Sequence, residues 1–278
     1  MDLTPLTLDI LGTGGGRFVM ITQRRRTAGI HLFQGTTNLH VDPGPGALIF
    51  SNWAGLSPQK LDGVIVTHCH PDHYSDAEVL IEAMSRGGTK KRGTLAAPRS
   101  VLKGNGLGPS VSTYHQGLVD AMQILEPNAS FEVGTLKFRG VEAHHGDPHT
   151  VGLIIETSNV GSVGYTSDTG YFPELGELYR GMRLLLLCAM RPRGHPLHLH
   201  LSTDDALQIV EQARPECVVL THFGMRMLDA DPDTEASFIE KQTDIPVIAA
   251  KDGIKITLSE SIEVAGPRKR DGTRKIGA

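Results

Sequence analysis

Cysteine is scarce in this chain. Cys69, Cys188 and Cys217 are scattered over 278 residues. An odd, widely spaced set gives no disulfide framework and points to a reducing, cytoplasmic setting. Long apolar runs are also lacking. The longest, Leu184 to Met190, is far too short to cross a bilayer, so no membrane partner is expected. No secretory leader is visible, because Asp2, Asp9 and Arg17 interrupt the start. A basic surplus is missing as well: the formal net charge is −4. Residues 267–278 hold Arg268, Lys269, Arg270, Arg274 and Lys275 against Asp271, a formal +4, which leaves −8 for the remainder. A body that acidic is a poor generic binder of phosphate backbones. Neither an internal repeat nor a dividing linker is evident. Residues 1–262 therefore read as one domain and 263–278 as a basic, flexible tail.

What is present is ordinary for a soluble globular protein, with 39% hydrophobic and 21% charged residues. Thirty-two glycines and sixteen prolines fit many strand-to-loop transitions. The informative stretch is Thr67-His68-Cys69-His70-Pro71-Asp72-His73. An apolar run, Gly63 to Thr67, leads in, and a helix-like stretch, Ser75 to Met84, leads out. Imidazole and carboxylate suit borderline metals such as zinc. An open catalytic zinc uses three protein ligands, so four candidates on one turn suggest two neighbouring ions. His68 and His70 point the same way from an extended strand end, whereas Cys69 points away. Asp72 and His73 lie beyond the turn.

Short strands are expected at Leu6–Leu11, Ala28–Phe33, Asn38–Asp42, then as a meander between 122 and 166, and later at Leu184–Cys188, Cys217–Leu220, Val247–Ala249 and Ile254–Leu258. Helices are expected at Ala47–Trp53, Thr203–Ala213 and Thr234–Gln242. The Gly12–Arg17 run reads as a loop without the spacing of a phosphate-binding motif. His31 and His40 read as strand residues. Residues 86–118, rich in glycine and basic residues, read as a mobile, substrate-shaping segment or a plain surface connection. Arg24, Arg25, Arg26 and Arg191 are candidate phosphate contacts.

The motif at 67–73 resembles that of the metallo-β-lactamase superfamily. Further elements follow in the expected order: Asp42 in His40-Val41-Asp42-Pro43-Gly44, His145 in His144-His145-Gly146-Asp147, Asp168 in Thr166-Ser167-Asp168-Thr169-Gly170, and His222 in Leu220-Thr221-His222-Phe223-Gly224. The resemblance implies an α/β protein, a four-layer αββα sandwich with two divalent ions between the sheet edges. His68, His70 and His145 would hold one ion, and Asp72, His73 and His222 the other. Asp168 would bridge them, and Asp42 would support the loop. His144 and His149 rival His145 as the third histidine. Zn²⁺ is the expected metal, with Mn²⁺, Ni²⁺ or Fe²⁺ as alternatives.

The Leu11–Arg17 start and the segment His200-Leu201-Ser202-Thr203-Asp204-Asp205-Ala206 are similar to ribonuclease Z, whose branch includes small phosphodiesterases. That likeness implies a hydrolase of a small phosphodiester or short nucleic acid, with Asp72 and His200 in the chemistry and His200 near the scissile phosphate. The alternatives are a lactone, thioester or β-lactam hydrolase, or a tRNA 3′-processing endonuclease, on the same residues. A long glycine-rich arm for gripping tRNA is not found. A homodimer is expected by analogy alone.

Overall fold

The computed structural model describes residues 4–266 apart from 105 and 107. Sixteen strands run in chain order among the described residues. Those of the first half are β1 (Leu6–Ile10), β2 (Ile30–Gln34), β3 (Thr37–Val41), β4 (Gly63–Ile65), β5 (Thr94–Ala97), β6 (Ala121–Ile124), β7 (Ser130–Val133) and β8 (Leu136–Glu142). The second half adds β9 (Val151–Glu156), β10 (Ser162–Tyr165), β11 (Leu184–Arg191), β12 (Leu201–Ser202), β13 (Cys217–Thr221), β14 (Val247–Ala249), β15 (Ile254–Leu258) and β16 (Ile262–Ala265). One sheet has the order β16-β15-β1-β2-β3-β4-β5-β6. The other has β14-β13-β11-β10-β9-β8-β7, with β12 paired to β11.

Alternation along each strand decides which layer a side chain joins. Leu6, Leu8 and Ile10 of β1 face Phe138, Leu153, Leu184 and Leu186 across the space between the sheets. Strand β11 is apolar without a break because both its faces are covered. Leu184, Leu186 and Cys188 join the inter-sheet core, while Leu185, Leu187 and Ala189 meet the helix Thr203–Ala213 on the outside. Each such buried side chain contributes about 1.5–3 kcal/mol. The helices Ala47–Trp53 and Ala77–Met84 cover the outer face of the first sheet in the same way. The result is the expected four-layer αββα sandwich.

Two local expectations are corrected. Residues 86–118 are partly regular: β5 and the helices Arg99–Lys103 and Thr113–Gln116 lie there, with Leu95, Ala97, Val101 and Leu102 packed on the outer face. The expected Gly12–Arg17 loop ends one residue early, because a helix, Arg17–Thr22, begins at its last residue. At the end of the described chain, β16 pairs with β15 from Leu258↔Ile262 to Lys255↔Ala265. The tail expected at 263–278 thus begins within this strand, and residues 267–278 lie outside the described residues.

Strands β3 and β4 are parallel, as are β10, β11 and β13, and β8 runs alongside them through antiparallel β9. Their C-terminal ends lie along one edge of the sandwich. That is where an open α/β sheet presents its site.

Candidate metal centre

Each candidate ligand sits in the loop or the short helix that follows a strand end. After β4, His70 is the extended N-cap of a one-turn helix, Pro71–Tyr74, and Pro71 starts it with φ already set. The turn closes by the His73 amide donating to the His70 carbonyl (2.9 Å). His70 is thus left on the strand side, and Asp72 and His73 on the helical side. Asp42, Ser167 and His222 follow β3, β10 and β13 with φ of 52°, 53° and 60°. Non-glycine residues in that region cost about 1–3 kcal/mol each and persist only where neighbours hold them. Here each aims its own side chain, or that of the next residue, at the rim.

The rim gathers all seven residues expected as ligands. Donor atoms of His68, His70 and His145 lie within 4.8 Å of one another, as do those of Asp72, His73 and His222, and those of His68, His73 and Asp168. His145 Nε2 is 3.0 Å from His70 Nδ1, and His73 Nε2 is 3.1 Å from His222 Nε2. Asp168 lies between the two groups, with Oδ1 3.1 Å from His222 Nε2 and Oδ2 3.7 Å from His145 Nε2. His200 Nδ1 is 3.7 Å from the same Oδ2. His144 turns outward to Glu142 (2.9 Å) and stacks on Phe172. His149 is exposed and outside these groups.

The donor set fits divalent cations. His73 Nδ1 donates to Asp42 Oδ2 (2.9 Å) and His145 Nδ1 to the Leu199 carbonyl (2.9 Å), so in the neutral rings each Nε2 carries a lone pair. Thr67 Oγ1 donates to Asp42 and faces His68 Nδ1 at 3.2 Å, which leaves His68 Nε2 in the same state. His68 Nε2 and Asp168 Oδ1 are buried without a hydrogen-bond partner. Lone pairs converging on lone pairs in a buried pocket are costly unless a cation lies between them. A ligand ring whose other nitrogen is held by a carboxylate or carbonyl is the usual metal-site arrangement.

Charge points the same way. Burial would push the His73 pKa down, but Asp42, Asp72 and Asp168 raise it to about 10. Three carboxylates thus draw a positive charge to a position that a divalent ion would take over from the proton. Burial also opposes ionisation of Asp72 and Asp168, yet the facing histidines hold both below the usual carboxylate range. His200 is pushed down to about 4, mainly by burial, against the pull of Asp168.

Asp42, expected to support the loop, and several residues without an expected role build the surroundings. Asp42 accepts from the Thr67 amide (2.7 Å), Thr67 Oγ1 (2.8 Å), His73 Nδ1 (2.9 Å) and the Tyr165 hydroxyl (2.8 Å). Asp147 accepts from the Cys69 amide (3.0 Å) and from Ser100, fixing the middle of the loop. The Gly16 amide donates to Asp72 Oδ2 (2.7 Å). A Cβ on Gly15 would sit 2.2 Å from the His222 ring. The Gly12–Arg17 run is therefore the wall against which Asp72 and His222 rest. Its repeated glycines were the available signal.

A cavity of about 930 Å³ opens over the histidines, walled by Gly16, Phe18, Met190, Arg191, Leu199 and His200 among others. Arg191 reaches it. Arg24 pairs with Asp229 and Arg26 stacks on Phe50 (4.2 Å), and neither of them nor Arg25 lines it. Among the described residues, none of 86–118 lines it either, because that segment packs on the far side of the first sheet.

Residues 37–223 match the β-lactamase superfamily domain. The chain belongs to the metallo-β-lactamase superfamily. The uncharacterized protein MJ1374 of Methanocaldococcus jannaschii is 37% identical over 251 residues, 89% of this chain and 93% of that one. Ribonuclease Z of Thermococcus kodakarensis is 38% identical over 80 residues, 29% of this chain and 24% of its own length. Among solved structures, a diphosphatase from the PhnP family superposes with a TM-score of 0.68 at 22% identity, covering 93% of this chain and 99% of that one. No helix among the described residues is long and apolar enough to cross a membrane.

Proposed function

We propose that this superfamily member is a dinuclear metal-dependent hydrolase that cleaves a small or short phosphodiester. The observation that carries it is the convergence of His68, His70, His145, Asp72, His73, His222 and Asp168 at one rim, where His70, Asp72, His145 and Asp168 line the cavity together with His200. The first three histidines would hold one ion, Asp72, His73 and His222 the second, and Asp168 both. Two divalent ions, Zn²⁺ before Mn²⁺, Ni²⁺ or Fe²⁺, supply Lewis-acid charge neutralisation and a nucleophile at neutral pH when bound. The protein residues do the rest. Asp42 and Asp147 fix the loop. Asp72, held by the Gly16 amide, would help to position the second ion and its nucleophile. His200, beside Asp168, stands where it can pass a proton to the leaving oxygen or steady the charged phosphorane.

Similarity to ribonuclease Z and to a diphosphatase of the same fold supports phosphorus over carbon as the electrophile. A carbonyl substrate, as in a lactone hydrolase, is the competing reading. The three free cysteines support a reducing compartment, and a homodimer is part of the same reading. Metal analysis should find close to two equivalents of divalent ion. Bis-p-nitrophenyl phosphate should be turned over with added Zn²⁺ or Mn²⁺. Hydrolysis of a lactone or thioester with no turnover of any diester would overturn the assignment.

A further inference from the structure

The cavity has a second charged region away from the histidines. Arg191 ends β11, and Arg226 lies in the first turn of the helix Met225–Ala230; both line the cavity. Arg17 lines it too. The Gly224 amide donates to the Met190 carbonyl (3.2 Å), which ties the two arginine-bearing segments together. Elsewhere six arginines pair with carboxylates, among them Arg24 with Asp229, Arg92 with Asp62, Arg183 with Glu216 and Arg193 with Glu235, whereas Arg25, Arg26, Arg86, Arg139 and Arg214 form no ion pair among the described residues and lie outside the cavity. Among the described residues, Arg17, Arg191 and Arg226 form no such pair, and Arg191 Nε is buried without any partner. Burial, and then the charge of Arg226, lower the basicity of Arg191. The carboxylates lining the cavity, Asp72 and Asp168, are turned to the histidines.

Like charges held together cost free energy unless an anion sits with them. Guanidinium groups match phosphate oxygens with a planar fork of donors. We propose that Arg191 and Arg226 form a second anion subsite, so that the preferred substrate is a phosphodiester bearing a further phosphate. This substrate class rests on the phosphodiesterase reading; the subsite itself does not. Phe18 and Ile21, on the same wall, offer an apolar surface to the organic part that joins the two phosphates.

Two measurements test this with the metal-loaded protein. Calorimetry with thymidine 3′,5′-bisphosphate and thymidine 5′-monophosphate should show the bisphosphate binding at least tenfold tighter. Arg191→Gln and Arg226→Gln should each cut that preference to under threefold, and Arg99→Gln, which removes a distant positive charge, should keep it. Equal affinities in the wild type, or a preference that survives the double variant, overturn the subsite. Kinetics with p-nitrophenyl thymidine 5′-phosphate, with and without a 3′-phosphate, should show the same tenfold preference in kcat/KM. If neither ester is cleaved, the phosphodiesterase reading fails, and the binding preference still decides the subsite alone.

Discussion

Asp42→Asn is the most telling single change. The carboxylate accepts four hydrogen bonds, one at Oδ1 from the Thr67 amide and three at Oδ2 from Thr67 Oγ1, His73 Nδ1 and the Tyr165 hydroxyl. Asparagine must put its NH₂ at one of these positions. At Oδ2 it would face three donors; at Oδ1 it faces one. Even the better orientation leaves the Thr67 amide and the new amide protons buried without an acceptor, and the other three bonds lose their charge assistance. A buried unsatisfied group costs about 1–3 kcal/mol, and breaking a buried charged pair costs about 3–5 kcal/mol. The expected loss is therefore about 3–5 kcal/mol in urea unfolding with chelator present. Because His73 loses the partner that orients its ring, metal affinity should also fall by about 10- to 100-fold, read by competition with a chromophoric chelator. Stability within 1 kcal/mol of wild type together with affinity within twofold would refute the reasoning.

Other expectations follow from the same geometry. Gly15→Ala places a methyl inside the His222 ring, so the variant should fold but bind one metal equivalent fewer, or bind it at least tenfold more weakly; two tightly bound equivalents would contradict the wall contact. His200→Ala should slow diesters with alkoxide leaving groups by about 10²–10⁴-fold, and p-nitrophenyl esters far less, since a good leaving group needs little protonation. A flat leaving-group dependence would remove the proton-donor role. For pH, burial lowers His31 from 6.5 to about 4. Between those values the unfolded chain takes a proton that the folded one refuses, so stability falls as pH drops through this window and levels off below it. From pH 7 to 5 the loss is about 2 kcal/mol from this residue. His31→Gln should therefore lose about that much less than wild type in chelator-containing urea unfolding, and an identical pH slope would count against a neutral buried imidazole.

Much of the plan was legible in the residues. The turn at 67–73 declared its chemistry by ligand type, and β11 declared its double burial through an unbroken apolar run. Thr203–Ala213 announced itself by helical spacing after Ser202, which forms a capping box with Asp205. What stayed hidden is what tertiary contact decides. The helix Arg17–Thr22 lacks a capping side chain and contains Val, Ile and Thr, weak helix formers; it starts at Gly16, whose φ of 77° suits glycine. Arg226 carried no motif, because its meaning depends on Arg191, far away in sequence. The adjacent histidines could not be separated without knowing that the Leu199 carbonyl waits for His145 and Phe172 for His144. Strand β16 has only Ile262 and Val264 to mark it, beyond the closing strand that the pattern favoured.

The candidate ligands come from both halves of the sandwich. His68, His70, Asp72 and His73 follow β4 of one sheet, whereas His145, Asp168 and His222 follow β8, β10 and β13 of the other. Ions seated there would act as rivets through two plates. Prising the plates apart would require releasing the cargo first, so resistance to heat should climb with the concentration of free ion. An organism short of that ion would then lose both the fastening and the activity.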